Sequence, residues 1–107
     1  METDDRIDVM DRTDVSDEDD TDFEEPKDFH LIGWNDDYTT QEFVVGVLRE
    51  TCHRSAEDAE RIMMDVHTKG RGIMWTGIHD IALTKSTEIT DLARRFKFPF
   101  RTTVEEV

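Results

Sequence analysis

FHLIGWNDDYTTQEF, residues 29–43, is the stretch from which the fold can be worked out. Its first six residues form a short, mainly apolar run that ends in the turn-forming residues Asn35, Asp36 and Asp37, and this pattern predicts a β-strand over 29–34. Thr39 and Glu42 have the spacing of a capping box, in which each side chain bonds to the other residue's amide. A first helix is therefore expected to begin there and to continue to about residue 52, with apolar residues at helical spacing.

The chain beyond this helix carries signals for a second helix and a second strand. Ser55 is expected to cap the helix, whose first turn holds acidic residues and which stops at Lys69-Gly70. Residues 72–76 are short, apolar and bounded by glycines, and this favours a buried strand.

The last third of the sequence predicts one more helix and one more strand. Apolar residues recur at helical spacing over 78–96, interrupted by Lys85, and this indicates the longest helix. Pro99 breaks that pattern, and alternation across residues 98–104 then predicts a final strand. The order β-α-α-β-α-β predicts an α+β fold, a small three-stranded antiparallel sheet covered on one face by three helices, over residues 29–107.

An acidic segment precedes this domain. Residues 1–28 contain fourteen acidic residues against three basic ones, and they supply most of the formal net charge of −14. So little apolar material does not offset the entropy of ordering, and a disordered tail is expected. The run Asp17-Glu18-Asp19-Asp20-Thr21-Asp22 lacks the glycine and ligand spacing of an EF-hand loop, so no metal site is predicted there. The acidity also argues against nucleic acid as a partner.

Composition and motifs restrict the function classes further. No apolar run is long enough for a membrane span and the first residues do not resemble a signal peptide, so a cytoplasmic protein is expected. Cys52 is the only cysteine, and the four histidines lack metal-ligand spacing, so neither a disulfide, a metal nor a cofactor is predicted. Enzyme motifs are absent, although the adjacent carboxylates of Asp36 and Asp37 leave acid-base chemistry open as an alternative.

The turn at Asn35-Asp36-Asp37 is the main candidate for a binding site. Such residues most often serve only the turn, because Asn and Asp hydrogen-bond their own backbone. An amide oxygen beside a carboxylate can also hold an ammonium group such as a peptide amino terminus. Met63 and His67, one turn apart at the margin of the second helix's apolar face, would add an apolar wall and another acceptor. Together they favour a peptide-binding pocket.

Several of these motifs resemble the ClpS family, the adaptors of the bacterial N-degron pathway. The resemblance covers roughly residues 29–106 and is carried by the following residues: Asn35-Asp36-Asp37-Tyr38-Thr39, Glu42-Phe43-Val44-Val45, Val47-Leu48, Ile62-Met63, Val66-His67, Gly70 and Ala82-Leu83-Thr84-Lys85. It implies a monomeric, non-enzymatic adaptor that binds the free α-amino group and the bulky first residue (Phe, Tyr, Trp or Leu) of a substrate. The substrate would then pass to a Clp AAA+ unfoldase, contacted at a ClpA-like N-terminal domain, and to its protease.

The resemblance also implies roles for individual residues. The α-amino group would be held by Asn35, Asp36 and His67, while Asp37 would hold the turn. The side-chain pocket would be lined by Thr39, Gln41, Met63, Val66 and Phe100. The unfoldase would dock at Asp80 and Lys85, and a snorkelling lysine is the structural alternative for Lys85.

Two pocket positions differ from the family pattern. Gln41 stands where the family usually has methionine, and Phe100 stands where it usually has leucine. An alternative function is a modulator that docks on the unfoldase without binding amino termini.

Overall fold

The computed structural model describes residues 27–107. The predicted disordered tail, residues 1–28, falls almost wholly outside the described residues. The elements follow the predicted order, and their bounds are β1 (Phe29–Trp34), α1 (Gln41–Glu50), α2 (Ala56–Lys69), β2 (Arg71–Gly77), α3 (His79–Arg95) and β3 (Arg101–Glu106). The predicted α+β class, with one antiparallel three-stranded sheet and three helices, is confirmed. No helix within residues 27–107 has the length and apolar character that crossing a membrane requires.

The first strand lies in the centre of the sheet, in the order β2-β1-β3. The prediction that residues 72–76 form a buried strand was wrong in its burial, because only Met74 of β2 is buried; β2 lies at an edge of the sheet. Met74 is buried, whereas the Ile73 side chain is 44% exposed on the other face. A register shift opposite Leu31 and Ile32 marks a β-bulge in β2 at this point.

The two faces of the sheet differ in what covers them. Leu31 and Met74 belong to the hydrophobic core that the sheet shares with the three helices. On the opposite face, Trp34 donates from Nε1 to Thr103 Oγ1 at 2.8 Å. The guanidinium groups of Arg71 and Arg101 lie 5.3 and 4.8 Å from the Trp34 ring. The helices therefore cover one face, and a cation-π cluster occupies part of the other.

Helix caps follow the sequence signals, with one shift. Ser55 caps α2 by accepting from the Asp58 amide at 3.1 Å, and Gly70 ends that helix with a φ of 91°, which a glycine adopts without strain. The N-cap of α1 is Thr40, which accepts from the Phe43 amide, so the prediction of Thr39 as the cap was wrong. Thr39 is instead bonded to a residue of the preceding turn, as described below.

The third helix and the last strand are less buried than their patterns predict. In α3 only Ala82, Ile89 and Ala93 are buried, while Phe96 beyond its end is 60% exposed. β3 begins at Arg101, so the predicted start of this strand near residue 98 was too early. The aromatic residues before it pack edge to face against Phe43 of α1 and stabilise the core there.

Candidate functional site

The turn between β1 and α1 is held together by one carboxylate. Asp36 Oδ1 accepts hydrogen bonds from the backbone amides of Tyr38 and Thr39, both at 2.8 Å. Its Oδ2 accepts a third from the Thr39 hydroxyl at 2.7 Å. Among the described residues none donates a hydrogen bond to Asp37, so the expectation that Asp37 holds the turn was wrong: its neighbour does so.

These hydrogen bonds keep Asp36 charged. Partial burial raises the pKa of its carboxyl, but the hydrogen bonds from the Thr39 hydroxyl and the two amides outweigh burial and lower the pKa below 3.8. A carboxylate has about four lone-pair sites, and three are used in the turn. Asp36 is therefore a fixed negative charge with one acceptor position left at Oδ2.

A second contact brings the turn against α2. The backbone amide of Asn35 donates to the Gly70 carbonyl at 2.9 Å, just beyond the last turn of that helix. His67 lies in this last turn, with its side chain exposed to solvent. The sequence thus positions Asn35 and His67 on the same rim, although 32 residues separate them in the chain.

The turn and the two helices enclose a pocket of about 430 Å³. This volume is near the lower end of the range for ligand sites, about 300–1,000 Å³. Its apolar floor consists of Val44, Met63 and Val66, all buried. The other lining residues are polar or lie at the rim: Asn35, Asp36, Asp37, Tyr38, Thr39, Thr40, Gln41 and His67. Among the described residues that line the pocket, two are carboxylates and none is a lysine or arginine. The rim therefore favours a cationic group, which would lie above the apolar floor.

Most of the residues that the sequence singled out meet in this pocket. Asn35, Asp36, His67, Thr39, Gln41, Met63 and Val66 all line it. Phe100 does not, because its side chain is buried against the backbone of Gly33 and against Phe43. Val44 also lines the pocket and was not predicted for it, because its spacing in the sequence is that of a helical core residue.

Gln41 is shared with a neighbouring groove. It and Met63 also line a depression of about 380 Å³ between α1 and α2, together with charged residues such as Glu42 and Arg49. Gln41 is exposed at the first position of α1, so its side chain lies on the boundary between the two depressions. A substitution here alters one wall of each depression.

The two residues predicted for docking lie on α3, in different environments. The side chain of Asp80, in the first turn, is 95% exposed. Lys85 is half-buried: its Nζ donates to the Thr51 carbonyl at 2.7 Å and lies 5.3 Å from the centre of the Trp75 ring. Thr51 is the C-cap of α1, so Lys85 satisfies a carbonyl at a helix end and links α1 to α3.

Neither Asp36 in the pocket nor Cys52 outside it is well suited to acid-base or nucleophilic chemistry. A carboxyl whose pKa lies below its ordinary value is a weak base near neutral pH, and this applies to Asp36. Burial raises the pKa of the Cys52 thiol to about 11, so the thiolate is scarce. Within residues 27–107 no group of three or more His, Cys, Asp or Glu side chains is arranged to hold a metal ion.

Comparisons with known proteins show which family the chain resembles. Residues 24–103 match the family described as ATP-dependent Clp protease adaptor protein ClpS. The ATP-dependent Clp protease adapter protein ClpS of Syntrophus aciditrophicus is 42% identical over 79 residues, which is 74% of each of the two chains. The protein of the same name from Acetivibrio thermocellus is 44% identical over 71 residues, or 66% of this chain and 72% of that one.

A solved structure has the same fold. It is Agrobacterium tumefaciens ClpS2 bound to L-phenylalaninamide, which is 37% identical to this chain and matches it with a TM-score of 0.74. The match covers 78% of this chain and 100% of that one.

Proposed function

This chain belongs to the ClpS family of Clp protease adaptor proteins, and on that premise we propose that it binds the free α-amino group and bulky hydrophobic first residue of N-degron substrates. Substrates beginning with Phe, Tyr, Trp or Leu would enter the pocket between the turn and α2. The adaptor would then deliver them to a Clp AAA+ unfoldase and its protease.

The charge at the rim of the pocket carries this proposal. Asp36 is held ionised by three hydrogen bonds and keeps one acceptor position at Oδ2. An α-ammonium group has three N–H donors, which Asp36, the Asn35 amide oxygen and a His67 ring nitrogen would accept. Each hydrogen bond to a charged group contributes about 1.5–3 kcal/mol. The cationic amino terminus is therefore the group that this rim fits best.

The apolar floor supplies the second part of recognition. Val44, Met63 and Val66 lie below the rim, and Met63 provides a flexible thioether that adapts to aromatic or aliphatic side chains. Burial of a side chain such as Phe or Leu contributes about 1.5–3 kcal/mol. Thr39 and Gln41 form the polar edge of this floor, so the first side chain would pass between them. Phenylalaninamide, the ligand of the structural relative, has both of these features: a free amine and an aromatic side chain.

Paired peptides test this function directly. Two fluorescent peptides beginning with Phe, one with a free amino terminus and one acetylated, are titrated with the protein and followed by anisotropy. The free peptide should bind at least about tenfold more tightly, because acetylation removes the charge and two of the three donors. A third peptide beginning with Gly controls for the side chain and should bind weakly. Equal affinities for the free and acetylated Phe peptides would refute the proposal.

Partner docking is proposed for the exposed start of α3. Asp80 offers a fully accessible carboxylate there, and Lys85 lies one and a half turns further along the same helix. We expect the N-terminal domain of the unfoldase to contact this surface, with the adaptor acting as a cytoplasmic monomer. Because Lys85 is already bonded to Thr51, Asp80 is the better residue to change. Asp80→Lys should weaken co-purification with the unfoldase and leave peptide affinity unchanged. Unchanged co-purification together with a loss of peptide affinity would mean that the unfoldase docks at another surface.

A further inference from the structure

A basic and aromatic surface lies beside the pocket and has no role in the function proposed above. It follows the end of α3, in the sequence Arg94-Arg95-Phe96-Lys97-Phe98-Pro99-Phe100-Arg101. Two depressions of about 500 and 310 Å³ adjoin here and share Arg94, Phe98 and Pro99. We call the surface the basic groove; it consists of Tyr38, Arg94, Lys97, Phe98, Pro99 and Arg101.

Fold stability explains only part of this charge. Arg94 and Arg95 occupy the last turn of α3, where cations interact favourably with the helix dipole. Lys97 and Arg101 lie beyond the helix, and the Arg101 guanidinium already lies over the Trp34 ring. None of the ion pairs between residues of the described part of the chain, 27–107, involves any of these four cations. In a protein of formal net charge −14, such a cluster is a distinct positive region.

The chain itself contains a segment of complementary character. Residues 1–26 hold thirteen acidic side chains against two basic ones. The densest part is Asp17-Glu18-Asp19-Asp20-Thr21-Asp22-Phe23-Glu24-Glu25, which places an aromatic ring among carboxylates. The basic groove combines cations with exposed apolar surface, since Tyr38 is 75% exposed. Carboxylates would pair with its cations, and Phe23 matches its aromatic character.

The acidic segment is long enough to reach the basic groove. Lys27 lies at one end of the sheet, where it forms an exposed ion pair with Glu106 at 3.0 Å. β1 runs from there to Trp34, which pairs with Arg101, so the groove lies about 20 Å away along the strand. A flexible coil of 26 residues, as its composition predicts, has a root-mean-square span of about 28 Å. Attachment to the same chain would also give the segment a millimolar effective concentration.

We propose that the acidic segment preceding Lys27 docks in the basic groove of its own chain. Because Tyr38 lines both the groove and the amino-terminus pocket, the docked segment would lie beside the path by which the later residues of a substrate leave the pocket. The groove is thus an intramolecular docking surface for an acidic peptide.

A spin label in the full-length chain tests this docking. The Ser16→Cys variant carries a nitroxide on the new cysteine, since Cys52 is buried and its raised thiol pKa of about 11 keeps it unreactive. Amide signals of Tyr38 and of residues 94–98, 100 and 101 should lose intensity at low salt, relative to the reduced label. They should recover in about 0.5 M NaCl, where charges are screened over a few ångströms. Broadening at another surface, or spread evenly over the domain, would overturn the proposal.

Charge variants identify the groove. In the labelled chain, Arg94→Gln with Lys97→Gln should abolish the broadening. Arg49→Gln with Arg61→Gln removes the same charge from α1 and α2, and should leave the broadening unchanged. Equal loss in both double variants would mean attraction by overall charge alone and would overturn the assignment. A second control mixes spin-labelled ¹⁴N chains with unlabelled ¹⁵N chains. Broadening that persists in this mixture would mean contact between molecules and would also overturn the assignment.

Discussion

Replacing Asp36 by asparagine separates the two tasks of this residue. Asn retains an oxygen that can accept from the amides of Tyr38 and Thr39, so the turn keeps two of its three hydrogen bonds. The Oδ2 position becomes an NH₂ donor, which removes the charge and faces the ammonium with a donor. Loss of one hydrogen bond to a charged group costs about 1.5–3 kcal/mol, so affinity for a free Phe peptide should fall about 10- to 150-fold.

The assay is anisotropy, with Asp37→Asn as the matched control in the same turn. Asp37→Asn makes the same charge change at a residue without a hydrogen bond from the described chain, and it should alter affinity by less than about threefold. The pH profile adds an independent check. Asp36 remains ionised because its pKa lies below 3.8, so it keeps its charge at neutral pH, and wild-type affinity should fall above about pH 8, as the peptide's ammonium deprotonates. A folded Asp36→Asn protein that binds within twofold of wild type would refute the reasoning.

Three further predictions concern the wall of the pocket and the core. Gln41→Met should raise the affinity for peptides beginning with Leu about two- to fivefold in the same assay, because a thioether replaces an amide beside the apolar floor; an unchanged or weaker affinity would exclude Gln41 from the wall. Lys85→Met should lower the free energy of unfolding in urea by about 1–2 kcal/mol, because the Thr51 carbonyl loses its donor; unchanged stability would leave Lys85 with a docking role only. Gly33→Ala should cost about 1–3 kcal/mol in the same titration, since the added methyl would lie 2.6 Å from Met74 Sδ; no loss would show that Met74 moves aside freely.

Local signals in the sequence were sufficient for the elements and for most of the pocket. The apolar run before Asn35, the Ser55 cap and the Gly70 stop each act within a few residues, so the order of strands and helices followed from them. Most of the pocket could be predicted from the sequence because its residues belong to two short motifs, one in the turn and one on α2. Their proximity depends on the Asn35 amide bonding to Gly70, at the residue that ends α2.

The errors came from features that depend on tertiary structure. The capping-box spacing to Glu42 favours Thr39, but the Thr39 hydroxyl donates to Asp36 and Thr40 caps the helix instead. Whether β2 is an edge strand depends on sheet order, which no local pattern encodes. Phe100 lies in the core rather than at the pocket because Gly33 leaves room for its ring, a contact between residues 67 positions apart.

The central position of β1 has a consequence for how this protein folds. Its partners in β2 lie 37–48 residues away in the chain, and those in β3 lie 67–77 residues away. No pair of strands in the described sheet is joined by a tight hairpin, so each pairing must close a long loop at an entropic cost. The helices, whose contacts are local, are therefore expected to form first, and sheet assembly should limit the rate. Since the turn at Asn35 follows β1 directly, the binding site should appear only in that last, slow phase.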